Sequence, residues 1–366
     1  MILGEGSYGQ VTVRDNKAVK TFSKLSHLIQ EYAALQYLHN CKYIVQAKDV
    51  EFANLELHME LYDCSLRKWL VDKNKYEKLT TYRKDIMIII HDILMGLIEL
   101  HDRELAHGDL KPSNVLIRKH PLKAVLGDCG FVSVAKYAKV ERTAASYRDP
   151  IINHDSTHDM FSFGICLLEL VACIKMNRQP SYKEIKSVIK KEAKDSDYYD
   201  ILCNLVHKNK DKRPTARYIL QALFKEIPNK WLKSSIVLSD PFKVGSNYER
   251  HLKNIPKQKI KQILVEDGKY VYDMMQLTAD ETKINRSKIG YRALLTYIDD
   301  HKIESSLHTL YIGITFMILS AIFGKSGFKE HDIIALCERQ YDSKVIYTIL
   351  EELLTDNNYI NILMYS

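Results

Sequence analysis

His107-Gly108-Asp109-Leu110-Lys111-Pro112-Ser113-Asn114 is the stretch on which the reading of this chain turns. Within eight residues it holds a candidate base, a cation and a candidate metal ligand, and the apolar run Val115-Leu116-Ile117 that follows predicts an anchoring strand. That composition suits phosphoryl transfer. Asp109 can accept a hydroxyl proton, Lys111 can neutralise a transferring phosphate and Asn114 can bind Mg²⁺. A surface turn containing Asn and Pro has the same local look, so the neighbouring segments decide between the two.

Upstream, residues 2 to 20 alternate turn glycines with short β-branched runs, which predicts a hairpin of strands. Its turn is Gly4-Glu5-Gly6-Ser7-Tyr8-Gly9-Gln10-Val11. A strand rather than a helix follows these glycines, which argues against a dinucleotide-binding crossover, and nine residues past Val11 stands Lys20. This is the order in which a flexible β-turn covers nucleotide phosphates and a strand lysine pairs with them. From Leu25 to Leu38 apolar residues recur at spacings of three and four, predicting a helix with Glu31 on or beside its buried face. A carboxylate there needs a partner, and Lys20 is the nearest candidate. Leu55 to Tyr62 alternates like a strand and leads into Ser65-Leu66-Arg67-Lys68-Trp69-Leu70. We read it as a crossing between two lobes, with adenine near Met59 to Tyr62. Asp85 to Leu100 predicts an apolar helix that includes His91 and Asp92 and is too short to span a bilayer.

Downstream, Lys123-Ala124-Val125-Leu126-Gly127-Asp128-Cys129-Gly130 reads as a short strand ending on an acid, which makes Asp128 the second candidate metal ligand. With G-x-G-x-x-G-x-V, A-V-K, the helix Glu, H-G-D-L-K-P-S-N and D-C-G in order, the chain resembles eukaryotic-type Ser/Thr protein kinases over about residues 1–226. Asp159-Met160-Phe161-Ser162-Phe163-Gly164 and Asp211-Lys212-Arg213-Pro214-Thr215 resemble that family's anchors in the large lobe. The resemblance implies a bilobal α+β kinase fold, ATP and Mg²⁺ as cofactors, and protein substrates. It implies Asp109 and Lys111 as catalytic residues, Asn114 and Asp128 as metal ligands, and Gly4, Gly6, Gly9, Val11, Lys20 and Glu31 as nucleotide-binding residues.

Several positions depart from the family pattern. Gly108 replaces the usual Arg, so no cation stands there to grip a phosphorylated activation loop, and we expect activity without such phosphorylation. Cys129 replaces the usual Phe. Where the family has A-P-E the chain reads Tyr147-Arg148-Asp149-Pro150-Ile151, which omits the Glu that would pair with Arg213. The loop Thr aligns with Ala144, or with Thr143 if the loop is shifted by one. The H-G-D form is shared with small-molecule phosphotransferases and with vaccinia-related protein kinases, but Lys111 and the Gly4 to Gly9 turn favour the protein kinases. A pseudokinase scaffold is the alternative from another class.

The chain has 366 residues, 46% hydrophobic and 27% charged, enough for two or three soluble globular domains. Its start shows no secretory signal. Seven cysteines, without C-x-x-C spacing, argue for a reducing compartment, cytoplasmic or nuclear, and against a disulfide framework or structural zinc. Net charge is +7 over residues 1–232, +5 over 233–261 and −5 over 262–366. An acidic C-terminal part docking on a basic remainder is one reading, ordinary solvated surface the other. Nothing in the sequence points to nucleic acid as a partner.

We therefore expect a small lobe at about 1–60, a large lobe at about 61–226, a linker at 227–256 and a helical domain at 257–366. In the last, helical spacing recurs at Tyr291 to Asp300, Leu307 to Phe323, Glu330 to Cys337 and Ser343 to Leu354. The 17-residue apolar run from Leu307 reads as a buried helix rather than a membrane span. This order resembles a single cyclin box, with Tyr297-Ile298-Asp299-Asp300 and Glu351 in matching places and Ile322 where a lysine is usual. It implies a small all-α cyclin-like domain and, as a hypothesis, an intramolecular contact that activates the kinase in cis. The heavy use of Lys, Ile, Tyr and Asn and the relaxed motifs resemble kinases of large DNA viruses; for such an origin the place of action would be host cytoplasm or virion.

Overall fold

The computed structural model describes residues 2–6, 9–72, 83–134, 145–150, 155–172, 174–176, 179–226 and 343–355. They fall into two compact units. The first takes the described residues of segments 1–20, 38–49 and 57–235; the second takes those of 21–37, 50–56 and 236–366.

In the first unit β1 (Ile2–Gly6) and β2 (Gly9–Arg14) form an antiparallel hairpin in which Gly6 faces Gly9 and Gly4 faces Val11. With β3 (Lys17–Phe22), β4 (Ala47–Glu51) and β5 (Glu56–Glu60) they belong to a sheet of order β1-β2-β3-β5-β4. Ala18, Val19 and Lys20 on β3 are all buried, so the strand carries a cation into the interior. The segment before β4 is tied to β9 (Leu122–Leu126) by Val45 N–H to Leu126 O at 2.8 Å and Leu126 N–H to Tyr43 O at 2.9 Å.

The helical part of this unit is built on α3 (Arg83–His101), whose Ile89, Ile90, Ile93, Leu94, Leu97 and Leu100 are fully buried. Each such side chain contributes about 1.5–3 kcal/mol on leaving water. The polar residues within this apolar helix have partners. Glu99 accepts the N–H groups of Lys42 at 2.9 Å and Tyr43 at 3.0 Å, and Asp92 accepts that of Ala124 at 2.9 Å. Around α3 pack β9, α4 (Ser156–Ala172) and α7 (Ala216–Phe224). α2 (Leu66–Asp72), α5 (Tyr182–Glu192) and α6 (Tyr199–Leu205) complete the set. Three short strands, β6 (Cys64–Ser65), β8 (Val115–Lys119) and β9, form a second sheet, and β7 (Leu105–Ala106) pairs with β10 (Ser133–Val134).

In the second unit α1 (Leu25–Tyr37) packs against the C-terminal helix α8 (Ser343–Thr355). The predicted helices at 25–38, 85–100 and 343–354 correspond to α1, α3 and α8. Those between 257 and 342, the apolar run from Leu307 and the linker at 227–256 lie outside the described residues, as do Thr143, Ala144 and Ile151. Among the described residues no helix is long and apolar enough to cross a membrane, and Cys41, Cys64, Cys129, Cys166 and Cys203 are free thiols.

Candidate active site

The 107–114 loop leaves β7 and enters β8 through a short 3₁₀ turn, Pro112–Asn114, in which Pro112 supplies the fixed φ that opens such a turn. β8 and β9 then pair in register from Val115 with Leu126 to Lys119 with Leu122. Gly127 N–H closes this ladder onto Asn114 O at 2.7 Å, so the two candidate metal ligands, Asn114 and Asp128, leave adjacent strand ends. The approach is close: a Cβ on Gly127 would stand 2.9 Å from Leu116 Cδ1, and that side chain would have to shift to admit it.

Asp109 is 1% exposed and is held by its own loop. Lys111 Nζ lies 2.5 Å from Asp109 Oδ2, and Asn114 Nδ2 donates to Asp109 O at 2.9 Å and to Oδ2 at 3.0 Å. Because both of these partners are acceptors, the amide nitrogen of Asn114 must point at Asp109, which turns its carbonyl oxygen the other way.

His107 sets the loop from behind. Its Nε2 meets Gly127 O at 3.0 Å while its Nδ1 accepts Asp109 N–H at 3.3 Å, a pattern that only the tautomer protonated on Nε2 satisfies. Asp159, fully buried in the first turn of α4, accepts the N–H of His107 at 2.8 Å and of Gly108 at 3.0 Å, and meets His101 Nε2 at 2.9 Å. Burial would raise the Asp159 carboxyl, but the His101 contact, His107 and the Gly108 N–H together hold it below its usual value. Gly108 itself has φ +79°, and a Cβ there would meet Phe131 O at 3.1 Å. The residue that lacks the family's arginine thus also sits where the backbone favours glycine.

Lys20 is 8% exposed, and a buried ammonium requires a counter-charge. It finds one in Asp128, with Nζ 2.7 Å from Oδ1 across 108 residues of sequence. Burial acts to raise the Asp128 carboxyl, but the Lys20 charge and hydrogen bond, with Lys111 and His107 behind them, outweigh it and lower the pKa. Asp128 also has the left-handed φ of 56°. Gly4, Gly6, Gly9 and Val11 all lie on the β1–β2 hairpin. Glu31 is 1% exposed on α1, in the second unit.

Sequence reasoning missed how the 145–150 segment is held. Arg213 pairs with Asp149, so the missing family Glu has a substitute two residues upstream of Ile151. Tyr147 donates to Glu169 Oε1 at 3.1 Å and Oε2 at 3.0 Å, Arg67 pairs with Glu169 at 2.6 Å and also bonds the Tyr147 hydroxyl, and Ser162 Oγ donates to Tyr147 O at 2.8 Å. The acid in Tyr147-Arg148-Asp149-Pro150 was the available signal for the first of these contacts.

The protein kinase domain family matches residues 1–225, more than half of the chain. This chain belongs to that family. Among similar proteins, the chain is 29% identical over 245 residues to the membrane-associated tyrosine- and threonine-specific cdc2-inhibitory kinase of Drosophila melanogaster, covering 60% of this chain and 45% of that one. It is 28% identical over 202 residues to a Wee1-like protein kinase of Arabidopsis thaliana, covering 52% and 39%. With the serine/threonine-protein kinase hippo of Drosophila melanogaster it shares 26% over 254 residues, covering 61% and 37%. The chain thus spans less than half the length of each of these three relatives. Cyclin-like character and viral origin find no support among them.

The donor set fits the cofactors that this family uses. A carboxylate and an amide carbonyl, Asp128 and Asn114, are hard oxygen ligands of the kind Mg²⁺ takes, and Lys20 is a buried cation suited to a phosphate.

Proposed function

We propose that this kinase transfers the γ-phosphoryl group of ATP to serine or threonine hydroxyls of proteins, with Mg²⁺ held by Asn114 and Asp128. The contact of Lys20 with Asp128 at 2.7 Å carries the reading, because it joins the strand lysine to the metal-ligand turn. In this reading Glu31 is the carboxylate that serves Lys20, Lys20 positions the α and β phosphates, and the Gly4 to Val11 hairpin covers them. The bound metal supplies charge neutralisation on the phosphate oxygens. Asp109 orients the acceptor hydroxyl and takes its proton as the oxygen bonds to the γ-phosphorus and the bond to the β-bridging oxygen breaks, leaving ADP. Lys111 balances the charge that moves to the γ-phosphoryl oxygens. The C-terminal part of the chain acts on the kinase domain in cis, a reading supported by the packing of α8 on α1.

The test is Asp109→Asn in the full chain, beside Lys20→Met. ATP binding is expected to persist in Asp109→Asn while phosphotransfer to a generic basic protein falls by about 10²–10⁴. Surviving transfer removes Asp109 from this role. Binding without transfer in the unaltered chain replaces the enzyme by a nucleotide-binding scaffold. Phosphoamino-acid analysis of the product is expected to show phosphoserine or phosphothreonine; phosphotyrosine alone overturns the acceptor assignment.

A further inference from the structure

α1 is buried on more than one side. Leu28, Ile29, Glu31, Tyr32, Ala33, Ala34 and Leu35 are all buried, and at 100° per residue they occupy most of the helix circumference. One neighbouring layer cannot cover such a surface. The second cover is α8, which lies beyond the residues that match the kinase family yet packs on the helix that carries Glu31. Its buried Ile349, Leu350, Leu353 and Leu354 form one apolar stripe, while Thr348, Glu351 and Thr355 are exposed.

Three rings run across this junction. Tyr347 of α8 stacks on Phe52, with centroids 6.1 Å apart and planes 23° from parallel. Phe52 in turn meets Tyr32 edge-on at 6.0 Å and 81°. Tyr32 is the residue next to Glu31. The turn that presents Phe52 is itself held, since Leu55 N–H donates to Phe52 O at 3.2 Å and Leu55 O accepts Phe22 N–H at 2.8 Å. Phe22 ends the strand that carries Lys20.

We propose that α8 is a built-in brace for α1, in which Tyr347 and Phe52 act as positioning residues that set the rotation of the helix bearing Glu31. The proposal rests on the kinase reading, in which Glu31 serves Lys20. Rotating a helix by one residue's share, 100°, would carry a side chain to another face, so holding its angle decides where a carboxylate points. Aromatic pairs suit this task because stacking adds a preferred geometry to plain apolar contact.

The experiment uses the full chain with Tyr347→Ala, Tyr347→Phe and Phe52→Leu, the last keeping apolar bulk without the ring. Amide hydrogen exchange is read over α1 and, as an internal reference, over α3, and kcat and KM for ATP are measured with a generic basic protein. Tyr347→Ala and Phe52→Leu are expected to speed exchange in α1 about fivefold to tenfold, leave α3 unchanged and raise KM for ATP by a similar factor. Tyr347→Phe, which keeps the stack, is expected to match the unaltered chain. Unchanged α1 exchange in both ring-removing variants overturns the brace, and so does a loosened α1 with kcat and KM unchanged. Should Tyr347→Ala loosen α3 as well, Phe52→Leu decides by the same criteria. An unaltered chain that transfers no phosphate overturns the kinase reading instead, and the exchange data then judge the brace by themselves.

Discussion

Arg213 and Asp149 form an ion pair at 2.6 Å in which neither side chain is more than 1% exposed. The other Arg213 contacts are His207 O at 2.9 Å, Thr157 O at 3.0 Å and the face of Phe161 at 5.1 Å, and Tyr182 donates its hydroxyl to Asp149. Removing one partner leaves a charge buried without its counter-charge. Asp149→Ala is therefore expected to lower unfolding free energy by about 3–5 kcal/mol, and Asp149→Ala with Arg213→Met to recover part of that loss. Urea unfolding of the two variants and the unaltered chain checks both.

Gly108 and Gly4 should respond differently to one added methyl group. At Gly108 the φ of +79° and the 3.1 Å approach to Phe131 O make Gly108→Ala cost about 1–2 kcal/mol and shift the neighbouring Asp109. Gly4→Ala meets nothing within 4 Å and should change stability by less than about 0.5 kcal/mol. Paired thermal melts and phosphotransfer assays separate these outcomes.

Asp155 gives a signed acid response. Partial burial raises its carboxyl, but Lys210 Nζ at 2.8 Å and the Thr157 hydroxyl and N–H at 2.5 and 2.9 Å bring it from 3.8 down to about 2. A folded value below the unfolded one means stabilisation that is complete above pH 3.8 and lost as the pH falls through about 2. The stability gap between the unaltered chain and Asp155→Asn should be flat from pH 7 to about 4 and close below it. Urea unfolding at a series of pH values reads this directly.

His91 behaves in the opposite sense. Its bond to Asp92 at 2.9 Å raises its pKa above 6.5, burial opposes this, and Glu226 at 3.0 Å adds to the rise. The charged imidazole thus stabilises fully below pH 6.5, and the contribution disappears as the pH rises through the folded value. Glu226→Gln is expected to lower the His91 titration midpoint, measured from its imidazole resonances by NMR.

Much of this arrangement is legible in the chain itself. The 107–114 loop, the glycine hairpin, α1, α3 and α8 follow from periodicity and turn chemistry, which are local. Partner choice is different. Lys20 turns to Asp128 and His91 to Glu226 across 108 and 135 residues, distances over which no local pattern acts. Asp149 could be read as a departure but not as a replacement until the fold brought Arg213 beside it. The stripe on α8 predicts that something covers it; only the packing shows that this is α1.

Asp159 gathers three hydrogens from His101, His107 and Gly108 on one carboxylate in the first turn of α4. The turn that starts this helix is in turn capped by Asp155, whose other oxygen holds Lys210. The loop bearing Asp109 is thus tied through its backbone to a helix end as well as to His107. Heat or acid that frays that end is expected to abolish the proposed phosphotransfer while strands and distant helices still report a folded molecule, so loss of activity should precede the loss of circular dichroism.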